Sequence, residues 1–417
     1  MIKSHAKQSS AAPVVIGWVV TITVILFYAY EFFLRNAPSP MHDYFQAIYS
    51  TTPSQLGRID AAYYWTYIPM QMIVGTLMDH YGVRKPLFLA IFACVFGSVL
   101  FGIENSYNLV LLGRMLIGFG SAFGFVAVLK TATLWLPKRY FPLAVGIATS
   151  LGMVGAVSSL IAITAMMQVF GADTTIDLFV LSGLGLMIIT YFIVYDKQQP
   201  ARKSHAGRRL QMIKQTITSV FGNPQVWLAG FIGLSLYLPT QVVGLWGIPF
   251  FNHVHGFAKV SSASIASLIF WGWVIGSPLV GLLAEYVKNR RLIIITGSVL
   301  TLSMIYLLFF LPLTDKAEIM IAIFLLGLFS STQILAFDIA ASACKRSHAG
   351  TAVAVTNMIV MLGGPLQEFI GYIIESATNT TNEYTLSGFQ DAFFIMPVLI
   401  ILACLVTLLI RDNTQYD

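Results

Sequence analysis

Charge is scarce in this chain. Only 10% of its 417 residues are Asp, Glu, Lys or Arg and 57% are hydrophobic, where soluble domains carry about 25% charged and about 45–50% apolar residues. The shortage of charge excludes a water-soluble enzyme, and the apolar surplus excludes a disordered chain. Cysteine is rarer still: Cys94, Cys344 and Cys404 all lie inside apolar runs, so no disulfide framework is expected. The signatures His-Glu-x-x-His, Gly-x-Ser-x-Gly and the glycine-rich phosphate loop are missing as well. No enzymatic activity and no cofactor are therefore expected. His253 and His255 are two apart but have no evident third ligand, which reads as a solvated loop rather than a metal site.

What the chain has is long apolar runs. A membrane helix needs about 20 apolar residues, and twelve such stretches can be drawn, near 14–37, 56–78, 86–104, 107–135, 140–168, 175–195, 225–250, 260–285, 291–312, 317–343, 349–374 and 390–410. The first is too long for a signal peptide and is kept as a helix. This predicts an all-α integral membrane protein: a six-helix bundle over 1–195, a linker over 196–224 and a second six-helix bundle over 225–417. Arg208 to Phe221 has helical spacing, with Leu210, Ile213, Ile217 and Val220 apolar, and fits a short surface helix or a solvated linker.

The net charge of +6 is then a topology signal before it is anything else. With the N-terminus inside, the inner segments hold Lys3, Lys7, Arg84, Lys85, Lys138, Arg139, Lys197, Arg202, Lys203, Arg208, Arg209, Lys214, Lys288, Arg290, Arg291, Lys345, Arg346 and Arg411. That is eighteen of the 24 basic residues, against Arg58, Lys259 and Lys316 outside. Both termini are expected to be cytoplasmic, in a bacterial inner membrane, with the lipid bilayer and not nucleic acid as the surroundings the basic residues answer to.

The two halves echo each other. Gly75, Asp79, Arg84 and Lys85 after the second span recur 206 residues later as Gly281, Glu285, Arg290 and Arg291 after the eighth. Lys138-Arg139 recurs as Lys345-Arg346 at an offset of 207. Such repeats are expected where two bundles rock about a central site. A glycine lets helices approach closely. An acid at a helix end can pair with basic residues and with a facing helix N-terminus, so Asp79, Arg84 and Glu285 are candidate latch residues.

On these residues the chain resembles the major facilitator superfamily. Gly75, Asp79, Gly82, Arg84 and Lys85 match that family's loop signature, and Gly113-Arg114-Met-Leu-Ile-Gly118-Phe-Gly120 is similar to its fourth-span signature. The resemblance implies alternating access, a small-molecule substrate held between the halves, and a role for Arg114 in coupling; snorkelling is its structural alternative. Proton-driven exporters of the family usually carry a Gly-Pro signature in the fifth span. Here that span reads Gly146 to Ala156 with no proline, which disfavours export, although an exporter of drugs or siderophores remains the alternative reading. The run Tyr28 to Ser39 is similar to the phagosomal nutrient importers of intracellular bacteria, and so brings in Tyr28.

Charges inside a bilayer cost about 2.5–3.5 kcal/mol each and face a cavity or a partner. Glu31 and Arg35 lie one helical turn apart on one face. They form either a permanent ion pair or a titrating one, in which Glu31 takes a proton and Arg35 takes a substrate carboxylate. Lys130 and Asp338 are near-equivalent under the repeat, about 10 Å inside the inner boundary. They are predicted to pair as an inner gate when the carrier opens outward; alternatively Lys130 binds substrate. Asp60, Tyr63 and Tyr67 share a face, suited to a wet site or to an aromatic belt. Tyr237, Gln241 and Asn357 are further candidate contacts, and Pro239 is expected to break its helix. Glu368 is expected to line the pocket or cap a helix. With Arg35, Arg114 and Lys130 opposing Glu31, the first half's interior has two surplus positive charges. The sequence therefore predicts proton-coupled uptake of a small anionic or zwitterionic solute (an organic acid, amino acid or carboxylate siderophore) by a monomer.

Overall fold

The computed structural model describes residues 12–103, 106–196, 215–311, 313–345, 348–377 and 384–411. Every regular element in them is helical. The first half contains α1 (Ala12–Arg35), α2 (His42–Tyr49), α3 (Pro53–Tyr81), α4 (Arg84–Phe101), α5 (Tyr107–Ser121), α6 (Gly124–Trp135), α7 (Phe141–Ser158) and α8 (Thr164–Ile193). The second contains α9 (Pro224–His253), α10 (Lys259–Val287), α11 (Arg290–Phe309), α12 (Lys316–Ser330), α13 (Ile334–Ser342), α14 (Ala349–Val360), α15 (Leu366–Ser376), α16 (Leu386–Phe393) and α17 (Ile395–Thr407).

Ten helical stretches are long and apolar enough to cross a membrane. One of them, 138–193, reverses at Gly171, whose φ of 77° suits only glycine, so it holds the fifth and sixth spans. The more polar α3, 29 residues long, is the second span; Thr52 and Gln55 start it with a reciprocal capping box. Each of the twelve expected stretches thus coincides with helix. Of the expected surface helix, 215–221 is helical, and Arg208 to Lys214 lie outside the described residues.

α9 is buried along nearly its whole length, packed among α10, α13, α14 and α17. This corrects the expected break at Pro239: the helix runs unbroken through it and through Pro249. Proline removes one N–H from the ladder, but neighbours on every side hold the rest of the helix in line.

The halves meet along two seams, α3 on α14 and α15, and α7 on α10. One face carries the loops with Arg84, Lys138 and Arg290; we call it the basic face. At the opposite face the halves are bonded together. Arg58 Nε donates to Glu368 Oε1 at 2.6 Å, Ser39 Oγ to the Leu245 carbonyl at 2.8 Å, and the Ser54 amide to Glu375 at 3.2 Å. Asp43 also pairs with Lys259. Glu368 is therefore neither a pocket-lining nor a capping group but half of an ion pair between the halves. Backbones touch there: a Cβ on Gly57 would strike the Gln367 carbonyl, and one on Gly371 the Pro53 carbonyl.

The basic face is the reverse. Gly75 and its repeat partner Gly281, with Gly146 and Gly350 on the other helix of each seam, have nothing within 4 Å of where a Cβ would stand. Gly75 and Gly281, expected to sit in close helix contacts, stand in open space, whereas Gly113, Gly118 and Gly120 of the fourth-span signature do lie against neighbouring backbone. The molecule is sealed opposite the basic face and open toward it.

Candidate functional site

Where α1, α3 and α5 meet above this opening, the interior holds two arginines and two acids. Glu31, Arg35, Asp60 and Arg114 are all buried. Arg35 Nη2 donates to both Glu31 oxygens at 3.1 Å, and Arg35 Nε donates to the Tyr63 hydroxyl at 3.0 Å. That hydroxyl donates in turn to Glu31 Oε2 at 3.0 Å, which closes a triangle. Helical spacing put Glu31 and Arg35 on one face; only packing adds the tyrosine from α3. Phe32, Tyr63 and Tyr67 surround the Arg35 guanidinium, with ring centroids at 4.3, 5.3 and 5.0 Å.

Arg114 is bonded differently. Its Nη1 donates to the Leu34 carbonyl at 2.8 Å, Nη2 to the Arg35 carbonyl at 3.0 Å and to Asp60 Oδ1 at 3.4 Å, and Nε to the Ile59 carbonyl at 3.2 Å. It reaches the last two carbonyls of α1, of which that of Leu34 also accepts the Ala37 N–H at 3.3 Å, and ties them to α3. The Tyr63 ring lies between the two guanidiniums, 5.3 Å from Arg35 and 5.1 Å from Arg114. Asp60 was legible as an acid on the Tyr63 face. Its pairing with Arg114 was not, because that contact spans 54 residues.

Tyr28 lies over Phe32 and Phe125 on the side of the pair facing α6. Tyr28, Tyr67 and Tyr237 lie within electrostatic reach of Glu31 and Arg35. From the second half come Tyr237, edge-on to Trp273 at 5.4 Å, and Gln241. Gln241 is buried with neither amide atom hydrogen-bonded, and it occupies the space that the absent side chain of Gly363 leaves. Asn357 is half-buried on α14. The aromatic belt reading fails for Tyr63, Tyr64 and Tyr67, which are buried, and holds for Trp65, which is 43% exposed.

Lys130 and Asp338 are not paired in this conformation. Lys130 Nζ binds Asp79 Oδ1 at 2.5 Å, and Arg290 Nη2 binds Asp338 Oδ2 at 2.6 Å. Each half satisfies its own residue through the repeated loop. Arg84 donates to the Tyr191 carbonyl at 2.8 Å, and Glu285 is exposed. The expected surplus of two positive charges does not survive. Asp60, buried inside α3, neutralises Arg114, and Asp79, exposed at the end of α3, neutralises Lys130. His253 ends α9, exposed, with its ring against Tyr384 at 4.8 Å, and His255 lies in the turn that follows. Two clefts of about 320 and 490 Å³ in the second half are lined almost wholly by apolar side chains such as Leu279 and Leu292, or Tyr306 and Ile401, and lie away from the buried charges.

Two packed helical halves, a seal on one side and buried ionisable groups beneath it define a membrane transporter. The chain belongs to the Major Facilitator Superfamily, whose sequence profile matches residues 10–367. It is 25% identical over 364 residues to the probable sulfoacetate transporter SauU of Cupriavidus necator, covering 81% of this chain and 82% of that one. It is likewise 25% identical over 375 residues to the lysosomal dipeptide transporter MFSD1 of Homo sapiens, covering 85% and 77%. Its fold matches the crystal structure of a bacterial homologue of the human lysosomal transporter Spinster in an inward-facing and unoccupied conformation, with a TM-score of 0.78 at 16% identity over 96% of this chain and 97% of that one.

Proposed function

We propose that this protein is a proton-coupled importer of a small solute bearing a carboxylate, anionic or zwitterionic, working as a monomer in a bacterial inner membrane with both termini cytoplasmic. The observation that carries the reading is the Glu31–Tyr63–Arg35 triangle, buried where the halves converge. With Arg114 and Lys130 already neutralised, the buried site as it stands is charge-balanced. An anion can enter only if a negative charge leaves or a proton arrives. A proton on Glu31 Oε2 frees Arg35, whose guanidinium then accepts the substrate carboxylate in Glu31's place. Tyr28, Tyr67, Tyr237, Gln241 and Asn357 are the contacts that fix the rest of the solute, and the unpartnered Gln241 amide offers both a donor and an acceptor. Substrates named for the relatives, sulfoacetate and dipeptides, both carry a carboxylate.

Reconstituted into vesicles, the protein is expected to take up carboxylates or amino acids saturably, driven by a proton gradient acid on the uptake side. Non-saturable flux indifferent to the gradient, or gradient-driven movement in the reverse sense only, overturns the reading.

The same reading assigns the basic face its gate. Gly75 lies eighteen residues beyond Gly57, and Gly350 eighteen before Glu368, so the register now made at Gly57 brings Gly75 level with Gly350. Closure of this seam draws α6 toward α13, and Lys130 and Asp338 exchange Asp79 and Arg290 for each other, while Arg84 and Glu285 shift with their loops. A Gly75→Cys/Gly350→Cys pair is expected to form a disulfide in membranes and to arrest transport. Adding Lys130→Asp should lower the yield about tenfold, a like-charge penalty near 1.4 kcal/mol, and adding Asp338→Lys to that should restore it. A yield indifferent to both changes removes the charge pair from the gate.

A further inference from the structure

The seal opposite the basic face contains a buried group that the transport site does not use. α2 belongs to neither flanking span, and its first residue, His42, is only 3% exposed. One ring nitrogen, Nε2, lies 2.9 Å from the hydroxyl of Tyr384, a residue of the other half. The other, Nδ1, is buried with no hydrogen-bond partner. The charged and titratable groups around it come from every packed element. Asp43 is the next residue of α2, and it pairs with Lys259 at the start of α10. His253, at the end of α9, lies tilted against Tyr384, and Glu375, in the last turn of α15, lies near Tyr384. The imidazole thus bridges the two halves in a place where its neutral form fits and its charged form does not. A second N–H on the ring would point into a site without an acceptor, and the added charge would face Lys259 and, once protonated, His253. A buried donor left unsatisfied costs about 1–3 kcal/mol before any repulsion is counted.

We propose that His42 is a second proton-binding site, on the seal rather than in the transport pathway, and that a proton there releases the first half from the second. The proposal rests on the alternating-access reading but not on Glu31. Burial, with His253 and Lys259 adding to it, pushes the imidazole down to about 3. A group whose pKa is depressed in one state favours that state only while it is unprotonated. The seal is therefore complete at neutral pH. Below the ordinary imidazole value near 6.5, the open form gains up to about tenfold in population for each unit of pH, a gain that ends as the depressed value is reached. An acidic exterior would then supply both the coupling proton and the opening that admits it.

Spin labels at Ala47→Cys on α2 and Ser387→Cys on α16, in full-length protein with Cys344 and Cys404 replaced by serine, report the seal without touching it. Between about pH 7.5 and about pH 5 the label distance should lengthen in the wild-type background. His42→Gln, which keeps a partner for Tyr384 but cannot titrate there, should hold the short distance throughout. Tyr384→Phe frees Nε2 and should move the transition to higher pH, which keeps the idea testable if the glutamine variant folds poorly. Glu31→Gln should leave the transition in place. A transition unchanged in His42→Gln, or one abolished by Glu31→Gln, overturns the proposal. Loss of proton-driven uptake with this transition intact would count against the transport reading alone.

Discussion

Glu31→Gln protein should exchange substrate across vesicle membranes and yet fail to concentrate it at any proton gradient. Glutamine has nearly the shape of a protonated glutamate, keeps an oxygen for the Tyr63 hydroxyl and never ionises. It holds the site permanently in the form in which Arg35 is free for a carboxylate. Losing one neutral hydrogen bond costs about 1 kcal/mol, so counterflow should persist to within about tenfold of wild type. Removing one partner of a buried ion pair costs about 3–5 kcal/mol because the remaining charge is uncompensated. The empty variant should therefore be the less stable one, and added substrate should recover more stability in it than in wild type. Arg35→Gln provides the contrast: with no cation to receive the carboxylate, both counterflow and accumulation should vanish. Counterflow measured alongside gradient-driven uptake separates these outcomes. Accumulation by Glu31→Gln at the wild-type ratio would show that the coupling proton binds elsewhere.

The second large effect is expected at Arg114, and it is structural. Its side chain satisfies three backbone carbonyls and one carboxylate. Arg114→Leu strips the donor from the Arg35 carbonyl and from buried Asp60, at about 1–3 kcal/mol for the neutral group and about 3–5 kcal/mol for the stranded carboxylate, while the Leu34 carbonyl keeps the Ala37 N–H and Ile59 keeps its place in the α3 ladder. A sum of that size rivals the total stability of many folded proteins, about 5–15 kcal/mol. Little monodisperse protein should be recovered from detergent. Arg114→Lys keeps a charge for Asp60 but lacks the planar fork that reaches the α1 and α3 carbonyls together, so it should fold with a lowered melting temperature. Arg114→Leu with Asp60→Leu should recover only the part of the loss due to the stranded carboxylate. If Arg114→Leu melts like wild type, the clamp between α1 and α3 carries no load. These results would also divide the roles of two arginines that the sequence leaves alike: Arg35 exchanges partners during transport, whereas Arg114 keeps its own.

Much of this was legible beforehand. Twelve spans follow from the length of the apolar runs, because a bilayer core of about 30 Å requires about 20 residues of helix. The Glu31–Arg35 pair follows from spacing alone, since an interval of four places two side chains on one helix face. Charge accounting went astray at Asp60 and Asp79. In the sequence Asp60 is only a face-mate of Tyr63 and Asp79 only a latch acid, yet each pairs with a cation on a helix distant in the chain. The role of Glu368 in the seal was missed for a similar reason, because its partner Arg58 is 310 residues away.

The features readable from residue order are local and periodic: helices, their span lengths, the internal repeat, and the pairing of charges a single turn apart. Those features depend on backbone geometry and on the cost of exposing polar groups to lipid, and both act within one helix. It took helix packing to show that Tyr63 closes the Glu31–Arg35 triangle, that Arg114 clamps two helices, that Lys130 turns to Asp79, and that His42 is buried in the seal. Each of those contacts joins helices distant in the chain. The first three depend on how the helices of one half pack against each other, and the His42 contact depends on the seal between the halves.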